Sequence, residues 1–400
     1  MRIALFHNVV SGGAKRAIYE SCRTLKSNGH TIDLFILDTA DSDFLPLDGL
    51  IRNKFVFPVK KHLPGYTDRS IKSIFKWFGS QSVLKKRQVL IADKINNGNY
   101  DLCFVHLCVY TQAPYILRYL TIPSVYYCHE PLRIAHEEFI EGPRQRLIST
   151  LCNFYSKTFL LKEERRNIAA ASLVITNSYF TREYILRAYG INSFVSYFAV
   201  DSEKFKPLKI NKENMVLTVG AFHPRKGFRF LIRAISRIDN GIRPKLVIIG
   251  DKYYYDELKE LTSLAMEKNV LLETLYNVSD EELIGYYNKA KVFVYAPYLE
   301  PFGLAPLEAI SCAVPVVAVC EGGVRETVIN NVTGILAERD EEEFANAISF
   351  LLINEQDAQK MGTQGRNYVI NKWTWQNSYE MLIKNFNRAI KSYSQNKVNC

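Results

Sequence analysis

The sequence has no long apolar run. No stretch reaches the roughly 18 to 20 consecutive apolar residues of a membrane-spanning helix. The longest uncharged run, Leu102 to Leu117, is interrupted by His106, Thr111, Gln112 and Pro114 and reads as a buried strand leading into a helix. The eight cysteines form no C-x-x-C pair, so neither a zinc site nor a disulfide framework is expected, and reduced thiols in a cytoplasmic compartment fit best. A signal-peptide pattern is also lacking, because Arg2 runs at once into strand-like Ile3-Ala4-Leu5-Phe6 and a glycine-containing loop. Without export, the sequons Asn277-Val278-Ser279 and Asn331-Val332-Thr333 read as chance. Tandem repeats and low-complexity tracts are absent.

Acidic residues are scarce in one half only. Residues 1–200 hold 26 basic and 16 acidic side chains, whereas residues 201–400 hold 25 of each. The net charge of +10 therefore belongs to the first half, where an anionic partner would be met. Hydrophobic residues at 48% and charged residues at 23% are ordinary for a globular protein. Four hundred residues exceed what one core usually organises, so two domains are expected.

Both halves alternate β-branched runs with helical patterns, the rhythm of parallel α/β architecture. Strands are expected at Ile3–Phe6, Thr31–Leu37, Leu102–Val109, Ser124–Cys128, Leu173–Thr176 and Phe194–Tyr197. In the first half a helix carries Ala14, Ala17, Ile18, Cys22 and Leu25 on one face and ends at Asn28-Gly29. The second half restarts with strands at Met215–Val219, Lys245–Ile249, Val270–Leu275, Val292–Tyr295 and Val316–Val319. Ser279-Asp280-Glu281-Glu282 is a capping box that opens a helix. The polar segment Asp201–Asn214 reads as the linker, giving two doubly wound domains around a cleft. Ligands of such sheets bind outside the carboxyl ends of the strands.

Four segments carry chemistry. In YAPYLEPFGLAPLEAISC (295–312), a strand gives way through Pro297 and Pro301 to Phe302-Gly303 and a helix from about Gly303. Free N–H groups at that helix start suit a diphosphate, and Gly303 allows close backbone approach. Glu300 and Glu308 bracket the helix start, and ionised carboxylates accept hydrogen bonds from sugar hydroxyls. Alone, two glutamates eight apart would read as solvated side chains. After the strand Met215–Val219, Arg225 and Lys226 stand ready for phosphates, although such a cluster is also an ordinary basic turn. His7–Ala14 includes Gly12-Gly13 but neither a dinucleotide nor a P-loop fingerprint. Finally, Ser124–Cys128 delivers His129 and Glu130 to a strand's carboxyl end, where a histidine can bond a sugar hydroxyl or shuttle a proton. A histidine satisfied by neighbouring backbone is the competing reading.

Together these segments resemble the retaining glycosyltransferases of family 4. The E-x7-E motif is Glu300 to Glu308 with Phe-Gly-Leu inside it, and Val200–Pro207 resembles the family's G-V-D-x-x-x-F-x-P linker. Gly322-Gly323-Val324-Arg325-Glu326, Thr333-Gly334-Ile335-Leu336 and Trp373-Thr374-Trp375 match later elements. The resemblance implies a GT-B fold, two Rossmann-like doubly wound domains facing a central cleft. Its expected parts are an acceptor-binding domain at 1–205, a nucleotide-sugar domain at 206–372 and a helix crossing back at 373–395. It further implies that Glu300, helped by Phe302, Gly303 and Leu304, holds the donor sugar and that Glu308 holds the ribose. Lys226 would meet the diphosphate, His129 the sugar near its reacting carbon, and Gly12 and Gly13 the phosphate. The chain departs from the family at Ala221, where the phosphate-binding arginine is usual; Arg225 is the nearest replacement. Ala199 likewise stands where glycine is usual.

The implied reaction is transfer of a hexose from a nucleoside-diphosphate sugar, such as GDP-mannose or a UDP-sugar, to a surface-glycan or lipid-linked acceptor. Retention lets the departing phosphate oxygen take the acceptor's proton, so no protein nucleophile is assigned. No cofactor and no metal are expected, and Asp41-Ser42-Asp43 reads as a solvated turn rather than a metal motif. The stretch Cys128–Arg133 is similar to segments of mannosyltransferases. Residues 60–87 hold eight basic side chains against Asp68, with Ile71, Ile74, Phe75 and Phe78 at helical spacing. They read as a peripheral contact with an anionic membrane at the inner face of the plasma membrane, with a helix packed on its own domain as the bland alternative. No motif accompanies the charge to suggest nucleic acid. Two other classes stay open: a non-catalytic sugar-nucleotide or glycan binder, and a phosphorylase or epimerase of similar fold.

Overall fold

The computed structural model describes residues 1–59, 71–133, 146–250 and 255–398, with side chains at 71–79, 146–157, 255–256 and 396–398 left aside. The chain divides into two compact units, Met1–Tyr197 with Tyr379–Cys400, and Phe198–Ser378.

The first unit is built on a seven-stranded parallel sheet in the order β3-β2-β1-β4-β5-β6-β7. Its strands are β1 (Arg2–Asn8), β2 (Thr31–Leu37), β3 (Asn53–Phe57), β4 (Leu102–Cys108), β5 (Ser124–Cys128), β6 (Leu173–Thr176) and β7 (Phe194–Val195). Its helices are α1 (Gly13–Ser27), α2 (Ile71–Asn96), α3 (Arg146–Ala169) and α4 (Tyr179–Tyr189). Helix α1 forms where the apolar spacing predicts it. Ala17, Ile18, Cys22 and Leu25 are buried, and the helix ends at Asn28 before Gly29, whose φ is 76°. In α2, Leu84, Ile91, Ala92 and Ile95 pack into the core with Phe6, Phe35 and Tyr126.

The second unit repeats the winding on six strands, in the order β10-β9-β8-β11-β12-β13. The strands are β8 (Glu213–Val219), β9 (Lys245–Gly250), β10 (Leu272–Tyr276), β11 (Ala290–Tyr295), β12 (Val316–Val319) and β13 (Gly334–Ala337). The helices are α5 (Phe228–Ser236), α6 (Tyr255–Glu267), α7 (Asp280–Lys289), α8 (Leu304–Ser311), α9 (Val324–Thr327), α10 (Glu341–Ile353) and α11 (Glu355–Lys372). Its core gathers Phe222, Phe228, Leu231, Ile248, Val294 and Phe344. Each such side chain contributes on the order of 1.5–3 kcal/mol when fully buried. The last helix, α12 (Trp375–Val398), returns to the first unit, where Phe386 meets Phe104 at 5.0 Å and the Tyr393 hydroxyl donates to the Thr121 carbonyl.

Two boundaries differ from those expected. The division falls after Tyr197 rather than after residue 205, and the supposed linker Asp201–Asn214 belongs to the second unit. Phe205 is 2% exposed and packs on Tyr287, while the Ser311 hydroxyl and the Arg366 guanidinium both donate to its carbonyl. A polar composition concealed this single buried aromatic anchor. The final helix begins at Trp375 rather than 373, because Trp373 ends α11 with its ring buried against Phe302.

Residues 60–70 of the segment read as a membrane contact lie outside the described residues, as do the side chains of Ile71, Ile74, Phe75, Trp77 and Phe78. Among the described residues, no helix is long and apolar enough to cross a membrane.

Candidate donor site

In the second sheet the order reverses between β8 and β11, and the loops leaving these two strands form the crevice where ligands of doubly wound sheets bind. The β8 loop ends in the one-turn helix Pro224–Lys226, capped by His223, whose Nδ1 accepts from the Arg225 N–H. Gly227 follows with φ 71°, and a Cβ there would stand 1.9 Å from the Ala296 carbonyl oxygen. Glycine is required by both conformation and space. This close approach, with the Tyr298 N–H donating to the Arg225 carbonyl at 2.8 Å, staples the β8 loop to the β11 loop.

Across that staple, Lys226 Nζ donates to Glu300 Oε2 at 2.8 Å, bringing together two of the residues expected at the site. Both side chains remain partly exposed. Tyr295, at the end of β11, is wholly buried; burial, then the nearby Glu300 carboxylate and a hydrogen bond to it, hold its phenol protonated far above the ordinary range. The backbone before Glu300 is strained, with Leu299 at φ 47°. It is held there from the β12 loop, where the Gly323 N–H donates to the Glu300 carbonyl at 2.8 Å. Side chains are excluded at Gly322 and Gly323, since a Cβ would come within 2.4 Å of Glu300 O and 2.1 Å of Pro301 O respectively.

Gly303, at φ 102°, opens α8 with no side-chain cap, leaving first-turn N–H groups for a ligand. Glu308 lies one turn further in. It is 7% exposed, and its Oε2 accepts from the Tyr287 hydroxyl at 2.8 Å. Phe302 is 4% exposed and packs on Phe198 and Trp373, so its side chain serves the core while its backbone and that of Leu304 frame the helix start. Arg225 is half-buried beside Lys226, and Ala221 leaves its own position without a charge.

The sequence reading missed Arg339. Its guanidinium donates to the carbonyls of Ala296 and Pro297, pairs with Glu321 and lies 3.8 Å over the Tyr298 ring. One side chain thus ties the β11 and β12 loops together. Nothing in the sequence singles out Tyr287, and Tyr295 stands there only as the end of its strand. A tyrosine at the mouth of a strand that precedes a glutamate is the one signal that pointed to the second.

In the first unit, Gly12 at φ 123° starts α1 without a side-chain cap or an acidic first turn, so this helix end is also bare. His129 leaves β5 with its Nε2 3.0 Å from His106 Nδ1, and Asn177 donates to its carbonyl. The ring of Tyr127 stacks on His106, 9° from parallel. Burial pushes His129 down to about 3 and takes His7 and His106 well below the usual range. All three are neutral imidazoles near pH 7, suited to hydrogen bonding rather than to carrying charge. The Asp41-Ser42-Asp43 loop is a turn in which Asp41 Oδ1 accepts from the N–H groups of Asp43 and Phe44.

Comparison with known proteins gives the family and the fold. Residues 11–204 match the profile described as Glycosyltransferase Family 4, and residues 200–368 that of Glycosyl transferases group 1. A capsular polysaccharide biosynthesis glycosyltransferase of Staphylococcus aureus is 31% identical over 199 residues, a match that spans 48% of this chain and 52% of the relative. An alpha-1,3/1,6-mannosyltransferase of Rhizomucor pusillus is 24% identical over 94% of this chain and 89% of its own. Sucrose-phosphate synthase from Thermosynechococcus elongatus superposes with a TM-score of 0.78 at 21% identity, covering 98% of this chain and 99% of that one, a likeness of fold. The two parallel-sheet units are those of the GT-B fold, and the chain belongs to the family 4, group 1 glycosyltransferases.

Proposed function

We propose that this protein is a retaining glycosyltransferase that moves a hexose from a nucleoside-diphosphate sugar to a surface-glycan or lipid-linked acceptor without a metal ion. The observation that carries the reading is the grouping of Lys226, Glu300 and Glu308 around the uncapped start of α8 at the switch point of the second sheet.

In the free protein Lys226 and Glu300 satisfy each other. A donor separates their tasks. Its diphosphate draws the Lys226 ammonium, with Arg225 and the N–H groups at the start of α8, while the Glu300 carboxylate accepts from sugar hydroxyls. As the glycosidic bond breaks, negative charge grows on the leaving diphosphate, where these fixed positive groups stabilise it most. The sugar becomes oxocarbenium-like, and the acceptor hydroxyl attacks from the face the diphosphate leaves. The departing phosphate oxygen takes the acceptor's proton, so no protein nucleophile or cofactor is needed. His129, neutral, serves as a hydrogen-bond partner for a sugar hydroxyl, and Gly12-Gly13 offer backbone to the phosphate.

GDP-mannose is the favoured donor, with UDP-sugars next; the mannosyltransferase named among the relatives and the Cys128–Arg133 stretch support that order. Residues 60–87 are proposed to contact anionic lipid at the inner face of the plasma membrane, testable by sedimentation with phosphatidylglycerol vesicles. The missing arginine at Ala221 favours one second reading, a sugar-nucleotide binder without turnover.

Isothermal titration with UDP, GDP, ADP and their sugar conjugates, with EDTA present, tests the assignment. Micromolar binding of one nucleotide, weakened by Lys226→Ala, is expected. If the folded protein binds none of them, the donor site is wrongly assigned. Binding without release of nucleotide in the presence of candidate acceptors favours the binder.

A further inference from the structure

Both partners of the Lys226–Glu300 pair sit on loops tied to one guanidinium. Arg339 lies between β13 and the N-cap of α10, where Asp340 accepts from the N–H groups of Glu342 and Glu343 and fixes the backbone beside it. Its guanidinium is oriented by a two-pronged contact with Glu321, Nε to Oε1 at 2.6 Å and Nη2 to Oε2 at 2.8 Å. So aimed, Nη1 donates to the Ala296 carbonyl and Nη2 to the Pro297 carbonyl, each at 2.9 Å. These carbonyls lie just past the last pairing of β11 with β12, Tyr295 with Ala318, so the guanidinium takes up acceptors beyond the end of the ladder. The same contacts lead to the pair from several sides. Ala296 and Pro297 fix the chain as it enters the turn at Leu299, whose φ of 47° must be held from outside. Glu321 fixes the start of the loop whose Gly323 N–H donates to the Glu300 carbonyl. The guanidinium also lies 3.8 Å over the ring of Tyr298, whose N–H donates to the carbonyl of Arg225, the neighbour of Lys226.

We propose that Arg339 is a positioning residue that holds the Glu300 carboxylate where the sugar of the donor presents its hydroxyls. The proposal rests on the reading of Glu300 as the sugar-binding group. The two parts of a donor ask different things of these loops. A diphosphate is met by an ammonium on a flexible stem, which follows the phosphate when its loop shifts. A carboxylate on a short stem must meet hydroxyls in defined directions, and a backbone shift of about 1 Å forfeits much of that contact. Lysine at position 339 would keep the charge. Its ammonium is a point donor, however, and cannot grip a carboxylate and two carbonyls at once in one plane. What the position requires is the fork.

The test uses the full chain and the difference in affinity between UDP-glucose and UDP, or GDP-mannose and GDP, whichever pair it binds. In Arg339→Lys the sugar nucleotide is expected to weaken about five- to tenfold while the bare nucleotide stays within about twofold of wild type. Steady-state nucleotide release with water as acceptor is expected to show kcat falling by a larger factor than KM rises. Glu321→Gln loosens the guanidinium and leaves it in place. It is expected to shift the difference the same way by a smaller factor, and serves if the lysine variant does not fold. The double variant separates positioning from a general loss of structure. Added to Glu300→Ala, the Arg339→Lys change is expected to cost less than about a further twofold in sugar-nucleotide affinity, because the group it positions has gone. Equal weakening of nucleotide and sugar nucleotide overturns the proposal, as does a full further loss in the double variant or an unchanged difference in both single variants, whatever happens to the melting temperature. If Glu300→Ala alone keeps the wild-type difference while Lys226→Ala weakens every ligand, it is the sugar-binding role of Glu300 that has failed.

Discussion

The two units share one order over six strands yet equip the carboxyl ends of their sheets differently. In the second unit the β8 and β11 loops and helix α8 carry an ammonium and two carboxylates, the loops locked by glycines that admit no side chain and by the Arg339 brace. In the first, the ends of β1, β4 and β5 present three buried imidazoles that carry no charge near pH 7. A charged ligand part needs a prepaid set of charges, whereas a hydroxyl needs neutral donors and acceptors of defined direction. The charges proposed to meet the donor in the second unit and the neutral imidazoles of the first are each open to experiment.

The largest effect is expected where ionic recognition meets the reacting sugar. Glu300→Ala removes the acceptor of Lys226 and of Tyr295 together, and turnover at saturating donor is expected to fall by about 10²–10³-fold, the scale of losing one fixed electrostatic contact in a transition state. Nucleotide release measured under steady state checks it, with the melting temperature as control. A loss below tenfold would mean that the second unit's charges serve binding alone.

Gly227→Ala attacks the staple rather than the charges. The new methyl meets Ala296 O at 1.9 Å on a backbone already at φ 71°, so a cost of about 3 kcal/mol is expected from strain and overpacking together. Denaturant unfolding should show this loss in the second unit only, read by a fluorescent label on Cys320 against one placed at a first-unit site.

The first unit is distinguished by its pH dependence. Its neutral histidines resist protonation in the native state while the unfolded chain protonates near 6.5. Stability should therefore fall as pH drops below 6.5, toward the value of about 3 for His129. Glu164 on α3 works from the other side. Burial raises its carboxyl to about 8, so the native state keeps a proton that the unfolded chain releases near 4.5. That contribution is present at low pH and is lost as pH rises from about 4.5 to 8, by an amount on the order of a few kcal/mol. Urea midpoints at pH 5 and pH 8.5 test the sign: Glu164→Gln should flatten the alkaline fall, and unchanged curves would mean the carboxyl ionises inside the fold.

Much of this architecture was legible because it is local. Strands β2, β5, β6 and β12 coincide with the runs read from sequence, and the Ser279 capping box is present in both of its hydrogen bonds. Among the candidate residues, Lys226 and Glu300 do meet. What escaped depends on partners distant in the chain. Strand β3 alternates too weakly to be seen, and it is held at the edge by Arg52 and Asn53 on Asp33, some twenty residues away. Arg339 looks like any surface arginine until Ala296, Pro297 and Glu321 are folded around it. Tyr287 is one of two adjacent tyrosines in a helix, and only its acceptor, 21 residues on, distinguishes it from Tyr286.

The smallest expected effect concerns helix starts, where the comparison can be sharpened most cleanly. Gly12 and Gly303 leave their helices without a side-chain cap, whereas Ser279, which follows the edge strand β10, caps α7 fully. If bare N-termini are kept for ligands, then removing the cap at α7 should cost stability alone. Ser279→Ala is expected to lower the unfolding free energy by about 1 kcal/mol. Nucleotide affinity should stay within twofold, because the aromatic clamp on Tyr287 lies at the opposite end of the helix and does not depend on the first turn. Denaturant melts and titrations on the same preparation give both numbers. A loss of affinity beyond about fivefold would show instead that the first turn of α7 bears on the donor site, and that capped and bare helix starts are not functionally separate.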